Sequence, residues 1–406
     1  MKLKLLVIAS IFTSTCYSND KLYAIYDDST HISIQENSSA TVRDYNNRDD
    51  IAEILIADSD KNKISHNKYN HFSVDESGII LNNETAKAKY IINEVVRGPS
   101  SYLAGNISVK GNAAHVIIAN PNGISCNGCS FSNTLSETLA TAYINTSKDN
   151  LISYNTVNFL SLFNSYSRKG IDTKYFGKII FSENKNIPTK YLTTNFNKLN
   201  IISNNISIDM RIHASQNINI YSGINIVEQR LGTNKFHLIN NEKGSRLLGK
   251  YISKNIIIGN EGNMDEILFT NKINIHTSNS TINNHAIISS NKLNINLDNA
   301  STLKNHGVIA GNSSLIKLTN NSHFKNTSTG IIANLRTDDY KWYNSTDPFF
   351  MYSKLHRIAI NADNSSRFTN QGALKTHRYL TLNKSTHNIF NEDAIINLYD
   401  EFRKIK

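Results

Sequence analysis

The chain has 406 residues, a formal charge of +10 and only three cysteines. Its basic residues are scattered rather than clustered, which argues against a nucleic-acid groove. The excess instead favours acidic glycans or membrane surfaces, or is simply spread over solvated turns.

The elements begin with a leader. Lys2 and Lys4 precede an apolar core from Leu5 to Phe12, and Cys16-Tyr17-Ser18 offers a small residue before cleavage. Residues 1–18 are therefore predicted to be a secretory signal peptide. The apolar run is too short to span a membrane as a helix. Thr13-Ser14-Thr15 lacks the apolar residue that a lipoprotein site carries before a cysteine such as Cys16. Cleavage removes two lysines and no acids, so the charge goes from +10 to +8, 41 basic against 33 acidic residues. No second long apolar segment follows, and the mature chain is expected to be soluble once released.

Short alternating segments come next. Ser65-His66-Asn67-Lys68-Tyr69, Phe72-Ser73-Val74 and Gly78-Ile79-Ile80-Leu81-Asn82-Asn83 read as strands. Ile92-Asn93-Glu94-Val95, Ser101-Tyr102-Leu103-Ala104-Gly105 and Asn106-Ile107-Ser108-Val109-Lys110-Gly111 continue the pattern. The apolar run His115-Val116-Ile117-Ile118-Ala119 then meets Asn120-Pro121-Asn122-Gly123, followed by Ile124-Ser125-Cys126-Asn127-Gly128-Cys129. Asn-Pro-Asn-Gly is a tight turn: proline presets φ, asparagine tolerates unusual backbone, and glycine accepts positive φ.

In this order, over roughly residues 20 to 145, these segments resemble the secretion domain of two-partner-secretion exoproteins, the family of filamentous haemagglutinins and secreted haemolysins. The Cys-x-x-Cys variant is more similar to the haemolysin branch. Ser132 departs from the pattern, which usually carries an apolar residue there. The resemblance implies export through the periplasm and across the outer membrane of a Gram-negative cell by a partner β-barrel transporter of the Omp85-like class. It also implies that residues 19–250 form the secretion domain and 251–406 a shaft. Asn120, Pro121, Asn122, Gly123 and Ile124, with Asn93 and Glu94, are the residues expected to serve transporter recognition. The alternative is that the turn is kept because the start of the coil needs it.

After cleavage of the leader, Cys126 and Cys129 remain. Two thiols cannot build a four-ligand zinc site. An oxidising periplasm favours a disulfide between them. A redox role would place the pair at a helix start, and here it lies in a turn between strands.

Downstream the chain repeats. Asn271-Lys272-Ile273-Asn274-Ile275 recurs as Asn291-Lys292-Leu293-Asn294-Ile295. Ile282-Asn283-Asn284, Leu303-Lys304-Asn305 and Phe324-Lys325-Asn326 recur every 21 residues, as do Phe368-Thr369-Asn370 and Ile389-Phe390-Asn391. Strands of two to five residues cannot form a core alone, but stacked as rungs they bury one continuous apolar column. The fold class is therefore all-β: a right-handed parallel β-helix, or solenoid, with a β-rich N-terminal cap. Asn284, Asn305, Asn326, Asn370 and Asn391 are expected to form an Asn ladder at a corner. Helix signals are nearly absent. Only Asp400 to Lys404 reads as a helical turn, either capping the last rung or standing where the chain stops mid-solenoid; a naturally short exoprotein and a truncated product both fit.

One insertion, Thr337 to Arg357, interrupts the repeat. It holds Tyr340, Trp342, Tyr343, Phe349, Phe350 and Tyr352. These aromatics either pack on the flank of the coil or form a ligand loop for host-cell surfaces or glycans. Catalytic signals are missing. Asp27-Asp28, Asp49-Asp50 and Asp338-Asp339 fall out of register with the repeat and read as turn residues, and no phosphate loop, zinc spacing or Gly-x-Ser-x-Gly occurs. His285 and His306 stand in register, 21 apart, as a shared turn position rather than a metal pair. No enzyme, cofactor or metal is expected. The leading expectation is a secreted adhesin or haemagglutinin-like exoprotein; the alternatives are the secretion portion of a cytolysin and a toxin-delivery exoprotein.

Overall fold

The computed structural model of the protein describes residues 21–26, 30–43, 51–156, 166–167, 170–171, 177–183, 194–223, 226–239, 254–262, 265–334, 357–376, 379–382, 389–390 and 395–397. The leader, the three Asp-Asp pairs, Asp400 to Lys404, Asn391 and the aromatics Tyr340, Trp342, Tyr343, Phe349 and Phe350 lie outside the described residues.

β-branched residues alternating with Asn, Ser and Thr favour extended backbone with one apolar face. Near the N-terminal end each rung uses three strands. Tyr90–Val95, Ser101–Leu103 and Asn106–Gly111 form one rung, and Ala114–Ala119, Ile124–Asn127 and Ser130–Ser132 lie above it. Pairing is parallel and one rung deep: Ile117 sits between Ile92 and Thr138, and Phe131 above Ile107. The stack builds sheets of 16, 10 and 5 strands around one apolar column running from Ile32 to Leu374. This is the expected parallel β-helix. Its cap is also present: Lys21–Tyr26, Thr30–Ile34 and Ile64–Ser73 pair antiparallel, as do Thr41–Arg43 and Ala52–Leu55. Such strands cover an edge that would otherwise template pairing with another chain.

The coil runs on past residue 250. Asn205–Asp209 pairs with Asn255–Ile258, and Ile212–Ser222 with Glu266–Ser278. Above this the rungs differ from the three short strands expected. Glu266–Ser278, Ile287–Asp298 and Val308–Leu318 each run through two faces as one bent strand. The bend falls at Ser290-Asn291, where pairing passes from Thr270↔Ser290 to Lys272↔Lys292. Small residues and an asparagine let the chain turn this corner without a loop.

The 21-residue register holds for three rungs, and the pairing carries across the insertion to a fourth. Ile282, Leu303, Phe324 and Phe368 pair in sequence, and each is at most 1% exposed. The rings of Phe324 and Phe368 lie 5.1 Å apart. Between them the insertion is bridged: Arg357–Ala362 pairs directly with Ser313–Leu318. At the last described rung the register differs. Spacing sets Ile389 opposite Phe368, yet the chain pairs Ile389 with Thr369 and Phe390 with Asn370. A shift of one residue exchanges the two faces of a strand.

A second core lies outside the coil. Tyr143–Asn145, Leu151–Asn155, Ile226–Arg230 and Lys235–Ile239 form a four-stranded antiparallel sheet from two segments far apart in sequence. Ile152, Tyr154 and Val227 of this sheet pack on Ile92, Ile117, Ala140 and Ile202 of the coil.

Candidate functional site

The Asn-Pro-Asn-Gly turn lies at the corner between Ala114–Ala119 and Ile124–Asn127. Asn120 is fully buried. Its Nδ2 donates to Pro99 O at 2.9 Å and to Ser101 Oγ at 3.0 Å, both one rung below. Its Oδ1 accepts from Asn122 N–H at 2.9 Å, and its carbonyl accepts from Gly123 N–H at 3.1 Å, closing the turn. Its own N–H donates to Ala140 O, one rung above. Asn122 is exposed, and its Nδ2 donates to Gly98 O at 2.7 Å. Gly123 has φ +129°, and an added Cβ would lie 3.2 Å from Lys178 O. Gly177 N–H donates to Pro121 O, and a Cβ there would come within 2.4 Å of that oxygen. Ile124 pairs with Ser101 below and Ile179 above. The turn thus rivets three successive rungs.

Asn93 and Glu94 lie one rung below Ile118 and Ala119. Asn93 is fully buried; its Oδ1 accepts from Tyr69 O–H at 3.0 Å, while its Nδ2 has no partner. Glu94 accepts from His66 Nε2 at 2.7 Å and from Ile144 N–H at 2.8 Å, joining coil and outer sheet. Of the residues expected to serve recognition, only Asn122 presents its side chain to solvent.

Cys126 and Cys129 are disulfide-bonded and fully buried, joined across Gly128, whose φ is +83°. So short a loop brings an entropic gain at the low end of the usual range, and the bond chiefly holds the corner. Intact-mass measurement is expected to show a gain of about 2 Da on reduction of the denatured chain. Two free thiols before reduction would contradict the bond.

Asn284 Nδ2 donates to Asn305 Oδ1 at 2.8 Å, Asn305 to Asn326 at 2.8 Å, and Asn326 to Asn370 at 2.7 Å, all buried. Two further ladders escaped the reading of the sequence. Asn200, Asn219, Asn274 and Asn294 are linked at 2.6–2.8 Å, and Asn271, Asn291 and Asn312 at 2.8–3.0 Å. The repeated Asn271 and Asn274 motif carried that signal.

The outer sheet is clasped to the coil by a network that no local pattern reveals. Asn234 Nδ2 donates to His115 Nε2 at 2.8 Å across 119 residues. That leaves the proton on Nδ1, which donates to Ser136 Oγ at 2.8 Å. Asn234 Oδ1 accepts from Tyr90 O–H at 2.9 Å and from Gln229 Nε2 at 3.3 Å, so the amide cannot flip without losing both. Burial, with Lys89 and Lys198 nearby, lowers the His115 pKa to about 4. The neutral imidazole is therefore favoured on folding. Its contribution is complete above about pH 6.5 and is lost as pH falls through 4, up to roughly 3 kcal/mol. Unfolding free energy measured between pH 4 and 7 is expected to fall less steeply on acidification in His115→Gln. Parallel profiles would exclude His115 as the source of the slope.

Among the described residues no group of three or more His, Cys, Asp or Glu side chains is placed to hold a metal ion. The rings of His285 and His306 stack at 4.8 Å, with planes 4° apart.

The family model "TPS secretion domain" matches residues 32–334. The chain belongs to this family, and so to the two-partner-secretion exoproteins, which leave a Gram-negative cell through the periplasm and across the outer membrane. It is 44% identical over 109 residues, 22% of its length, to the "16S rRNA endonuclease CdiA" of Enterobacter cloacae subsp. cloacae, covering 3% of that protein. It is 32% identical over 139 residues, 30% of its length, to the "Hemolysin" of Proteus mirabilis, covering 9% of it. The chain spans less than a tenth of the length of these curated relatives. Among solved structures, the filamentous hemagglutinin secretion domain aligns with a TM-score of 0.47 at 16% identity, covering 89% of this chain and 99% of the other.

Proposed function

We propose that this chain is the exported secretion domain and leading shaft of an adhesin or haemagglutinin-like exoprotein, recognised by an outer-membrane transporter of the Omp85-like class. The observation that carries this is the Asn120 to Gly123 turn, bonded to the rungs on either side within a chain that belongs to the secretion family. A chain must cross the outer membrane unfolded and then fold, and a parallel coil adds one rung at a time. Asn93 and Asn120 are buried in the folded coil, so their side chains meet a transporter only before folding. Strand addition of an extended segment to a sheet edge of the transporter's periplasmic part suits that stage. Once outside, the rivet secures the three rungs it joins against return.

Co-expression in a Gram-negative host with a partner barrel, taken from the neighbouring reading frame, is expected to place the protein in the medium or on the cell surface. Without the barrel it should remain periplasmic and be degraded. Equal export in both strains would reject the reading.

We assign no enzymatic activity to this chain; secretion domains of the family are not themselves catalytic. A second reading follows from the relatives: the domain leads a cytolysin or a toxin-delivering polypeptide. Lysis of red cells by the secreted protein would favour the cytolysin over the adhesin.

A further inference from the structure

The antiparallel outer sheet has two edges. One, Tyr143–Asn145, is three residues long, and its Ile144 N–H is taken by Glu94 of the coil at 2.8 Å. The other, Lys235–Ile239, pairs with Ile226–Arg230 on one side only. Among the described residues no backbone group bonds to its outer side. Natural sheets blunt such an edge with a bulge, a proline or a lysine set within the strand. This strand pairs without a bulge, contains no proline and carries its one lysine at the first position.

The far end of the strand is apolar and open. Leu238 and Ile239 are 38% and 37% exposed, two of the five exposed large hydrophobics among the described residues. Side chains alternate along a strand, so Leu238 shares a face with Phe236. That face is turned to the second core: the Phe236 ring lies 5.2 Å from Tyr221 and 6.3 Å from Tyr154. Val227, opposite Leu238, is fully buried in that core. The core is therefore closed beneath Ile226–Arg230 and unfinished beneath Lys235–Ile239, where one more strand would complete it.

Cations gather at the near end. Lys235 stands opposite Arg230 across the hairpin. Asn234, beside it, bonds His115, whose ring is flanked by Lys89 and Lys198. None of these four cations is in an ion pair among the described residues. Glu228 on the same sheet is engaged by Lys148 at 2.8 Å. Like charges directly opposite each other oppose folding, so the cluster is favourable only toward an anionic neighbour.

We propose that the Lys235–Ile239 edge accepts an extended peptide as a fifth strand, antiparallel to it, apolar at alternate positions and acidic toward its C-terminal end. Antiparallel addition sets the peptide's C-terminal end beside Lys235 and Arg230 and its apolar side chains beside Phe236 and Leu238. Main-chain bonds supply affinity, and the two ends of the strand supply selectivity. A second copy of this chain would offer the same edge in return and leave all four cations uncompensated. This inference concerns the folded chain and stands apart from its route of export.

The test uses the purified chain and fluorescence polarisation of N-terminally labelled peptides. The probe is Val-Thr-Val-Thr-Val-Glu-Glu, and the reference ends in Lys-Lys instead. The acidic probe is expected to bind at least about tenfold more tightly than the basic one. N-methylation of alternate amides in the probe should abolish binding, which tests strand pairing without altering the protein. Leu238→Lys, at an exposed site, should weaken the probe about tenfold. Arg230→Gln/Lys235→Gln should bring the acidic and basic probes to within about twofold of each other. The matched control is Lys304→Gln/Lys325→Gln, a pair in register on the coil that lines a groove with His285 and His306; it should change affinity less than about twofold. Circular dichroism checks that all variants are folded. No binding of the acidic probe, equal binding of the two peptides, or an unchanged affinity after N-methylation or in Leu238→Lys would overturn the proposal. So would a dimer, seen by sedimentation equilibrium, that Leu238→Lys dissolves and that excludes the probe, because the edge would then belong to a second copy.

Discussion

Leu303→Asp is expected to destabilise the shaft by about 4 kcal/mol or more, the range for an unpaired charge placed in a core. Leu303 is 1% exposed between Ile282 below and Phe324 above, and the column around it is apolar in both directions. A carboxylate there has no donor and no route to water. One residue further on, Lys304 faces solvent, and Lys304→Asp should cost less than about 1 kcal/mol. The comparison isolates register, because the two sites share a strand and receive the same side chain. Denaturant midpoints of the two variants against the parent chain measure it. Similar midpoints would reject the inward assignment of Leu303. Because a stack of rungs can lose cooperativity locally, hydrogen exchange at Thr302–Asn305 should accompany the midpoints.

Asn120→Ala should cost about 2–4 kcal/mol and sharply reduce export. The change strips the bonds donated to Pro99 O and Ser101 Oγ and the acceptor of the Asn122 N–H; the bond to Ser101 is fully buried, the other two partly so. Each buried group left without a partner costs about 1–3 kcal/mol. Asn122→Ala loses one exposed contact to Gly98 O and should be much milder for stability. If the turn acts by folding, export should follow stability: Asn120→Ala poor, Asn122→Ala near normal, and the double variant accumulating in the periplasm. If Asn122 is read directly by a transporter, Asn122→Ala should stop export while leaving unfolding unchanged. Normal export of the double variant would remove the motif from transport altogether. The ratio of extracellular to periplasmic protein, set beside denaturant midpoints of the refolded variants, decides among these outcomes.

The coil was legible because its information is local and periodic. The recurrence of Leu303-Lys304-Asn305 as Phe324-Lys325-Asn326 states which side chain faces inward, since side chains alternate along a strand. A stack of such units has one way to bury them. Asn120-Pro121-Asn122-Gly123 likewise declares a turn through its own backbone preferences, whatever surrounds it. The two additional Asn ladders were visible in principle, for Asn271 and Asn274 recur at Asn291 and Asn294.

Composition and spacing determined, by themselves, an all-β coil of stacked rungs with a tight turn near its start and a cysteine pair beside it. Tertiary structure decided what lies between distant segments. The antiparallel outer sheet joins Tyr143–Asn155 to Ile226–Ile239, and His115 meets Asn234 across 119 residues. It decided that Asn93 and Asn120 are buried while Asn122 is exposed, and that Lys304, Lys325, His285 and His306 share one groove. Periodicity reports which face of a strand is apolar, because that follows from the chain's own geometry. It does not report which other segment covers that face, because burial depends on contacts made by residues that are neighbours only after folding.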